Sequence, residues 1–200
     1  MKIRPFAAAL SLLALTTVPA MAQDKPKEEA PAGGGPEMEA FMKAITPGQP
    51  HKHISRYAGD WTYAGKMWMD PSQPPMESTG TMHGEMILGG RYAQTTWKGN
   101  FMGMPFEGRA TNGYDNLSKQ YVSTWIDNMG TGIMYATGTC DESGMKCEDK
   151  GDSMDPMTGQ KTYMRSVITW TGDKSFKMES YGPGPGGQEV KNMEMVVTKK

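Results

Sequence analysis

HKHISRYAGDWTYAGKMWMD, residues 51–70, sets the period that the rest of the chain follows. From Trp61 the odd positions are Trp61, Tyr63, Gly65, Met67 and Met69, while the even ones include Thr62, Lys66 and Asp70. A period of two is that of a β-strand with one buried face, because successive side chains point to opposite sides of the pleat. Gly59-Asp60-Trp61 opens this strand. The reading therefore predicts that the Trp61 ring plugs one end of whatever the strand helps to enclose.

Downstream, short alternating segments are separated by turn residues. They predict about ten strands, near 60–69, 77–88, 91–99, 104–114, 120–128, 132–140, 146–152, 160–170, 174–181 and 188–198. The breaks include Asp70-Pro71, Gly89-Gly90, Asp115-Asn116, Ser143-Gly144, Asp155-Pro156 and Gly172-Asp173. Connections this short join neighbours antiparallel. A meander of this length must split into two sheets or close, and closure removes the unpaired edges that invite aggregation. The expected fold is all-β, a closed antiparallel up-and-down barrel over 51–200, with a β-sandwich as the alternative. No repeat of fixed period is present, which argues against a propeller.

Ahead of the barrel, Lys2 and Arg4 precede an apolar run from Phe6 to Val18 and the small-residue pattern Ala20-Met21-Ala22. This is the pattern of a secretory signal over 1–22, cleaved after Ala22, and the run is shorter than the ~20 residues a spanning helix needs. QDKPKEEAPAGGGP has nothing to bury, so 23–35 reads as a disordered linker. Met38, Phe41, Met42 and Ile45 then recur at helical spacing, predicting a short amphipathic helix over 36–46 that lays its stripe against the barrel. The expected compartment is the periplasm or beyond, and no later segment of the mature chain reads as an integral membrane segment. Loss of Lys2 and Arg4 takes the formal charge from −1 to −3 with both signs interspersed. Nucleic acid, which needs a basic face, is not an expected partner.

Cys140 and Cys147 flank the turn in CDESGMKC and face each other across a predicted hairpin. Opposed Cα atoms in an antiparallel pair lie ~4.5 to 5.5 Å apart, within disulfide range. In an oxidising compartment a structural bridge is expected, whereas a redox pair would have two intervening residues.

Several strings carry a family resemblance: Gly59-x-Trp61, KMWMDP (66–71), ILGGRY (87–92), FMGMPFEG (101–108), GYDN (113–116), YVSTWIDNMGTGIM (121–134) and DPMTG (155–159). These are similar to the bacterial family known as domain of unknown function 1579. The Gly-x-Trp opening and the all-β pattern also resemble the calycin group of lipocalins, fatty-acid-binding proteins and haem-binding nitrobindins. The resemblance implies a barrel with an internal cavity and assigns no activity.

Histidine is confined to His51, His53 and His83, so a nitrobindin-like haem held by a late-strand histidine is not expected, and no cofactor is assigned. There is no Gly-x-Ser-x-Gly elbow and no cysteine free for nucleophilic work, so catalysis is not expected. Methionine is the unusual component, 20 in 200 residues. Met67-x-Met69, Met102-x-Met104 and Met193-x-Met195 suggest thioethers paired on one strand face. Flexible, polarisable methionine lines adaptable apolar cavities well, and it also suits Cu(I). Cavity lining by Trp61, Tyr63, Met67, Met69, Met102, Met104 and Trp125 is the preferred reading, with Arg165 as a buried cation for a ligand's polar end. The expected function is binding of a small apolar or amphipathic molecule. The alternatives are a copper-binding or oxidative-stress protein, using Met67, Met69, Met102 and Met104 as the metal set, and an enzyme working in the cavity.

Overall fold

The structure is a computed structural model, and it describes residues 35–155 and 158–200. The expected signal peptide (1–22) and nearly all of the expected linker (23–35) lie outside the described residues. Among the described residues, two helices and a 3-10 turn precede the strands: α1 (Pro36–Ile45), α2 (Gln49–Ile54) and the turn Ser55–Tyr57. Ten strands follow: β1 (Gly59–Met67), β2 (Met76–Ile87), β3 (Tyr92–Phe101), β4 (Met104–Asp115) and β5 (Gln120–Asp127), then β6 (Met134–Cys140), β7 (Lys146–Met154), β8 (Lys161–Gly172), β9 (Ser175–Pro183) and β10 (Glu189–Lys199).

Every strand pairs antiparallel with its neighbours in sequence, and β1 also pairs with β10, from Trp61↔Lys199 to Met67↔Met193. That last ladder closes the sheet into a barrel, as the alternation and short turns predict. Register carries one face inward all the way round. Trp61 opposes Met82, Met82 opposes Trp97 and Trp97 opposes Gly108. Further round, Asp149 opposes Ser166, and Ser166 opposes Ser180.

The dry core sits at the end where β1 begins. Trp61, Met82, Phe176 and Val197 are essentially inaccessible, with Tyr63, Trp97 and Trp170 packed beside them. Burying each such side chain contributes on the order of 1.5–3 kcal/mol. The rings of Trp61, Trp170 and Phe176 meet at centroid distances of 4.7–6.0 Å in tilted or edge-on pairs, as their quadrupoles favour.

The same end is capped by α2 and the 3-10 turn, where the sequence reading places no helix. His51, His53 and Ile54 are buried there. Trp61 Nε1 donates to the Tyr57 carbonyl at 3.0 Å, Arg56 donates to the carbonyls of Gly144 and Ser143, and Lys199 Nζ donates to the Ala58 carbonyl. Gly144 adopts φ +63°, and a Cβ there would fall 2.3 Å from the His53 ring, so the turn between β6 and β7 needs glycine both for its conformation and for the close approach of α2.

α1 departs from expectation in one respect: its stripe is not buried. Met38, Phe41, Met42 and Ile45 are all exposed, and only the C-terminal end of the helix is tied down. Asn116 Nδ2 donates to the carbonyls of Ala44 and Thr46, and Arg91 donates to that of Ile45. The bridge expected between Cys140 and Cys147 is present across the β6–β7 hairpin, Cα to Cα 3.9 Å.

Candidate functional site

Above the capped end, the barrel holds a cavity of about 360 Å³. Tyr57 and Phe176 form its floor, and it runs toward the opposite end, where Met67, Phe101 and Met129 lie at the ends of β1 and β3 and in the β5–β6 loop. The walls are aromatic on one side, with Tyr63, Trp97, Phe106 and Trp125 in a chain of ring contacts at 5.6–6.5 Å. On the other side they are sulfur-rich, with Met134, Met164, Met178, Met193 and Met195. Alternation produces this directly, since these residues occupy the inward positions of β6, β8, β9 and β10.

One band of the wall is polar. Ser180, Ser166 and Asp149 stand in register across β9, β8 and β7, with Ser123 two strands beyond on β5, past β6. The Ser123 hydroxyl lies 3.5 Å from Asp149 Oδ2, and Ser166 also hydrogen-bonds the carboxylate. The Asp149 carboxyl is pushed up from the ordinary aspartate range, because burial penalises its charge more than the serine hydrogen bonds favour it. Its cross-strand partner is Gly138, where a Cβ would fall 2.7 Å from the Asp149 Cβ and 2.1 Å from the Glu148 carbonyl. Only glycine leaves room there for the carboxyl-bearing strand. Ser180 is 1% exposed, and its Oγ has no hydrogen-bond partner among the described residues.

A second carboxylate, Asp127, sits nearer the open end and accepts from Trp125 Nε1 at 2.7 Å and from the Met129 and Gly130 amides. The lining residues include no lysine, arginine or histidine. Beneath the floor, His53 Nδ1 lies 2.8 Å from the Tyr121 hydroxyl, and His51 Nδ1 accepts from the Gly48 amide at 3.0 Å. Burial lowers the pKa of both histidines, reinforced by Arg91 at His51 and by Arg56 at His53.

The candidate residues divide into four groups. Tyr63, Met67 and Trp125 line the cavity. Trp61 is wholly buried in the core at the capped end and does not line it. Met69, Met102 and Met104 are 72%, 69% and 50% exposed: β1 ends at Met67, and Met102 occupies the β3–β4 turn with φ +52°, so neither pair shares an inward strand face. The four methionines of the copper alternative are thus not gathered in the cavity.

Arg165 needs the clearest correction. It points outward from β8, pairs with Glu189 at 2.6 Å and Glu148 at 3.3 Å, and packs over the Tyr181 ring at 4.3 Å. Its neighbours Met164 and Ser166 face inward, so a mid-strand position by itself did not determine the face.

Asp149, Ser166, Ser180, Met134, Met164 and Met178 escaped the sequence reading. A signal for Asp149 is present in KCEDKGDSM (146–154), where Lys146, Glu148, Lys150 and Asp152 mark the even face as solvated and leave Cys147, Asp149 and Gly151 facing inward.

The chain is similar in structure to Rv2717c from M. tuberculosis, known from its crystal structure, with 13% identity and a TM-score of 0.58 over 76% of this chain and 98% of that one. At that identity the likeness speaks to the fold alone. A redesigned beta barrel also aligns, at 13% identity and a TM-score of 0.39, over 74% of this chain and 95% of that one. No curated protein matches. The family model for a protein of unknown function, DUF1579, matches residues 46–199, and the chain belongs to that family.

Proposed function

We propose that this protein is an exported binding protein that holds a small apolar or amphipathic molecule inside its barrel and does no chemistry on it. The observation that carries the reading is the cavity of about 360 Å³, walled by methionine and aromatic side chains and capped at one end. That volume falls within the ~300–1,000 Å³ usual for small-molecule sites, which are mostly apolar with a few placed polar groups. Methionine on one wall gives a surface that repacks around different shapes at small cost. The Cys140–Cys147 bridge supports an oxidising compartment, and the signal pattern at the start of the chain supports export.

The test is a titration with N-phenyl-1-naphthylamine, a neutral apolar fluorophore. Trp97 and Trp125 lie in the wall, so binding should quench tryptophan emission and brighten the probe with a Kd of micromolar order or tighter. Absence of saturable binding would end the reading. Intact mass of exported protein tests the compartment, and a mature chain beginning at Gln23 is the expected result.

A further inference from the structure

Three features of the cavity bear on the polar end of its ligand. Its lining carries two carboxylates, Asp127 and Asp149, and no cationic side chain. Asp127 accepts from the Trp125 indole and two backbone amides, and Asp149 accepts from the Ser123 and Ser166 hydroxyls and the Ser166 backbone, so all of these donors are neutral and neither carboxylate is met by a cation from the lining. Ser180, in register with Ser166 and through it with Asp149, holds a buried hydroxyl that has no hydrogen-bond partner among the described residues. Buried polar groups in folded proteins are nearly all satisfied, so an unpartnered hydroxyl two strands from a buried carboxyl that no cation meets marks hydrogen-bonding and charge-pairing capacity that the wall itself does not use.

We propose that Asp149, Ser166 and Ser180 form a head-group site for a primary amine, so that the cavity takes amine-headed amphiphiles and rejects those headed by a carboxylate. The inference rests on the ligand-binding reading above and narrows it to a class. An ammonium brings three N–H donors and the positive charge that the lining lacks. It lets Asp149 ionise against a partner, and a charged donor meeting a carboxylate makes the stronger kind of hydrogen bond. A fatty-acid carboxylate in the same place would be desolvated beside a like charge, with no cation to receive it. The apolar tail would lie along Met164, Met178, Met193 and Met195.

Octylamine, octanol and octanoate are matched in carbon count and differ chiefly in the head, octanoate's tail being one methylene shorter, and calorimetric titration of each into the exported protein separates the two claims. The expected order is octylamine tightest, with octanoate weaker by on the order of 10-fold or more, the span of a hydrogen bond to a charged group. Asp149→Asn, which keeps shape and serine contacts, should bring amine and carboxylate to within a few-fold of each other while octanol, whose neutral hydroxyl meets the same side chain, still binds. Ser180→Ala should weaken octylamine by roughly 2- to 10-fold, the range of one neutral hydrogen bond, with octanol still bound. The octanol arm also reports that each variant keeps its cavity. Octanoate binding as tightly as octylamine, or an amine preference unchanged in Asp149→Asn, would overturn the head-group site while leaving the cavity reading intact. Binding of none of the three would overturn both.

Discussion

Asp149 shows how one inward position can set a property of the whole domain. Its carboxyl titrates higher in the folded protein than in the unfolded chain, so the native state holds the proton more tightly. The sign follows: this contribution is fully present below the unfolded pKa, and it is lost as pH rises from the ordinary aspartate range through the raised folded value. Asp149→Asn removes that loss. In urea melts the variant should match the native protein near pH 4 and become progressively more stable than it toward pH 8; a constant offset across that range would show that burial does not dominate at this site. Trp61 is the opposite case, an uncharged residue that acts through packing and one hydrogen bond to the Tyr57 carbonyl. With the ring fully buried against Trp170 and Phe176, Trp61→Ala should cost about 3–5 kcal/mol. A loss below ~1 kcal/mol in the same melts would contradict its burial.

At the scale of elements, the sequence discloses strands far better than it discloses what caps them. Alternation is strong in β1, where Trp61, Tyr63, Gly65 and Met67 all face inward, and the turn residues locate the other nine strands to within a few positions. α2 has only six residues, too few for a helical period to stand out, and its buried members are two histidines and one isoleucine. Methionine pairing misleads for a related reason: Met102 and Met104 look paired in sequence, but a turn falls between strands at that point. Met134 at the start of β6 and Met164 and Met178 in mid-strand have no methionine two residues away, yet they line the cavity beside the Met193 and Met195 pair. The cap has its own pH response. His51 and His53 titrate below their unfolded value, so their contribution is fully present above the unfolded pKa near ~6.5 and is lost as pH falls through the folded pKa. Amide exchange over residues 49–57 should accelerate on acidification from pH 7 to pH 5 relative to exchange in the strands, and an unchanged ratio would refute the linkage. The β6–β7 hairpin is secured by its own bridge, and Cys140→Ser with Cys147→Ser should cost about 2–3 kcal/mol for so short a loop while leaving probe binding intact.

For the whole molecule, closure explains why an interior rich in methionine is tolerable. The β1–β10 ladder leaves no edge strand, so the wall is held by backbone hydrogen bonds all round and does not depend on close packing of the cavity's contents. The dry cluster around Trp61 supplies the packing at one end, and the side chains above it are free to adapt. This division predicts the result of replacing sulfur with carbon across the wall. Met67, Met134, Met193 and Met195 all changed to Leu should cost less than ~1.5 kcal/mol each, because volume and apolarity are kept. Binding of the neutral naphthylamine probe should survive within a few-fold, while the range of ligand shapes accepted should narrow, since branched leucine repacks less readily than methionine. Cu(I) titration of a second variant, with Met67, Met69, Met102 and Met104 changed to Leu, tests the copper alternative. If the thioethers serve only as a pliable wall, the native protein should hold Cu(I) no more tightly than an unfolded peptide with the same methionine count. Tight Cu(I) binding that disappears in that second variant, with probe binding absent from the native protein, would instead assign these sulfurs to metal.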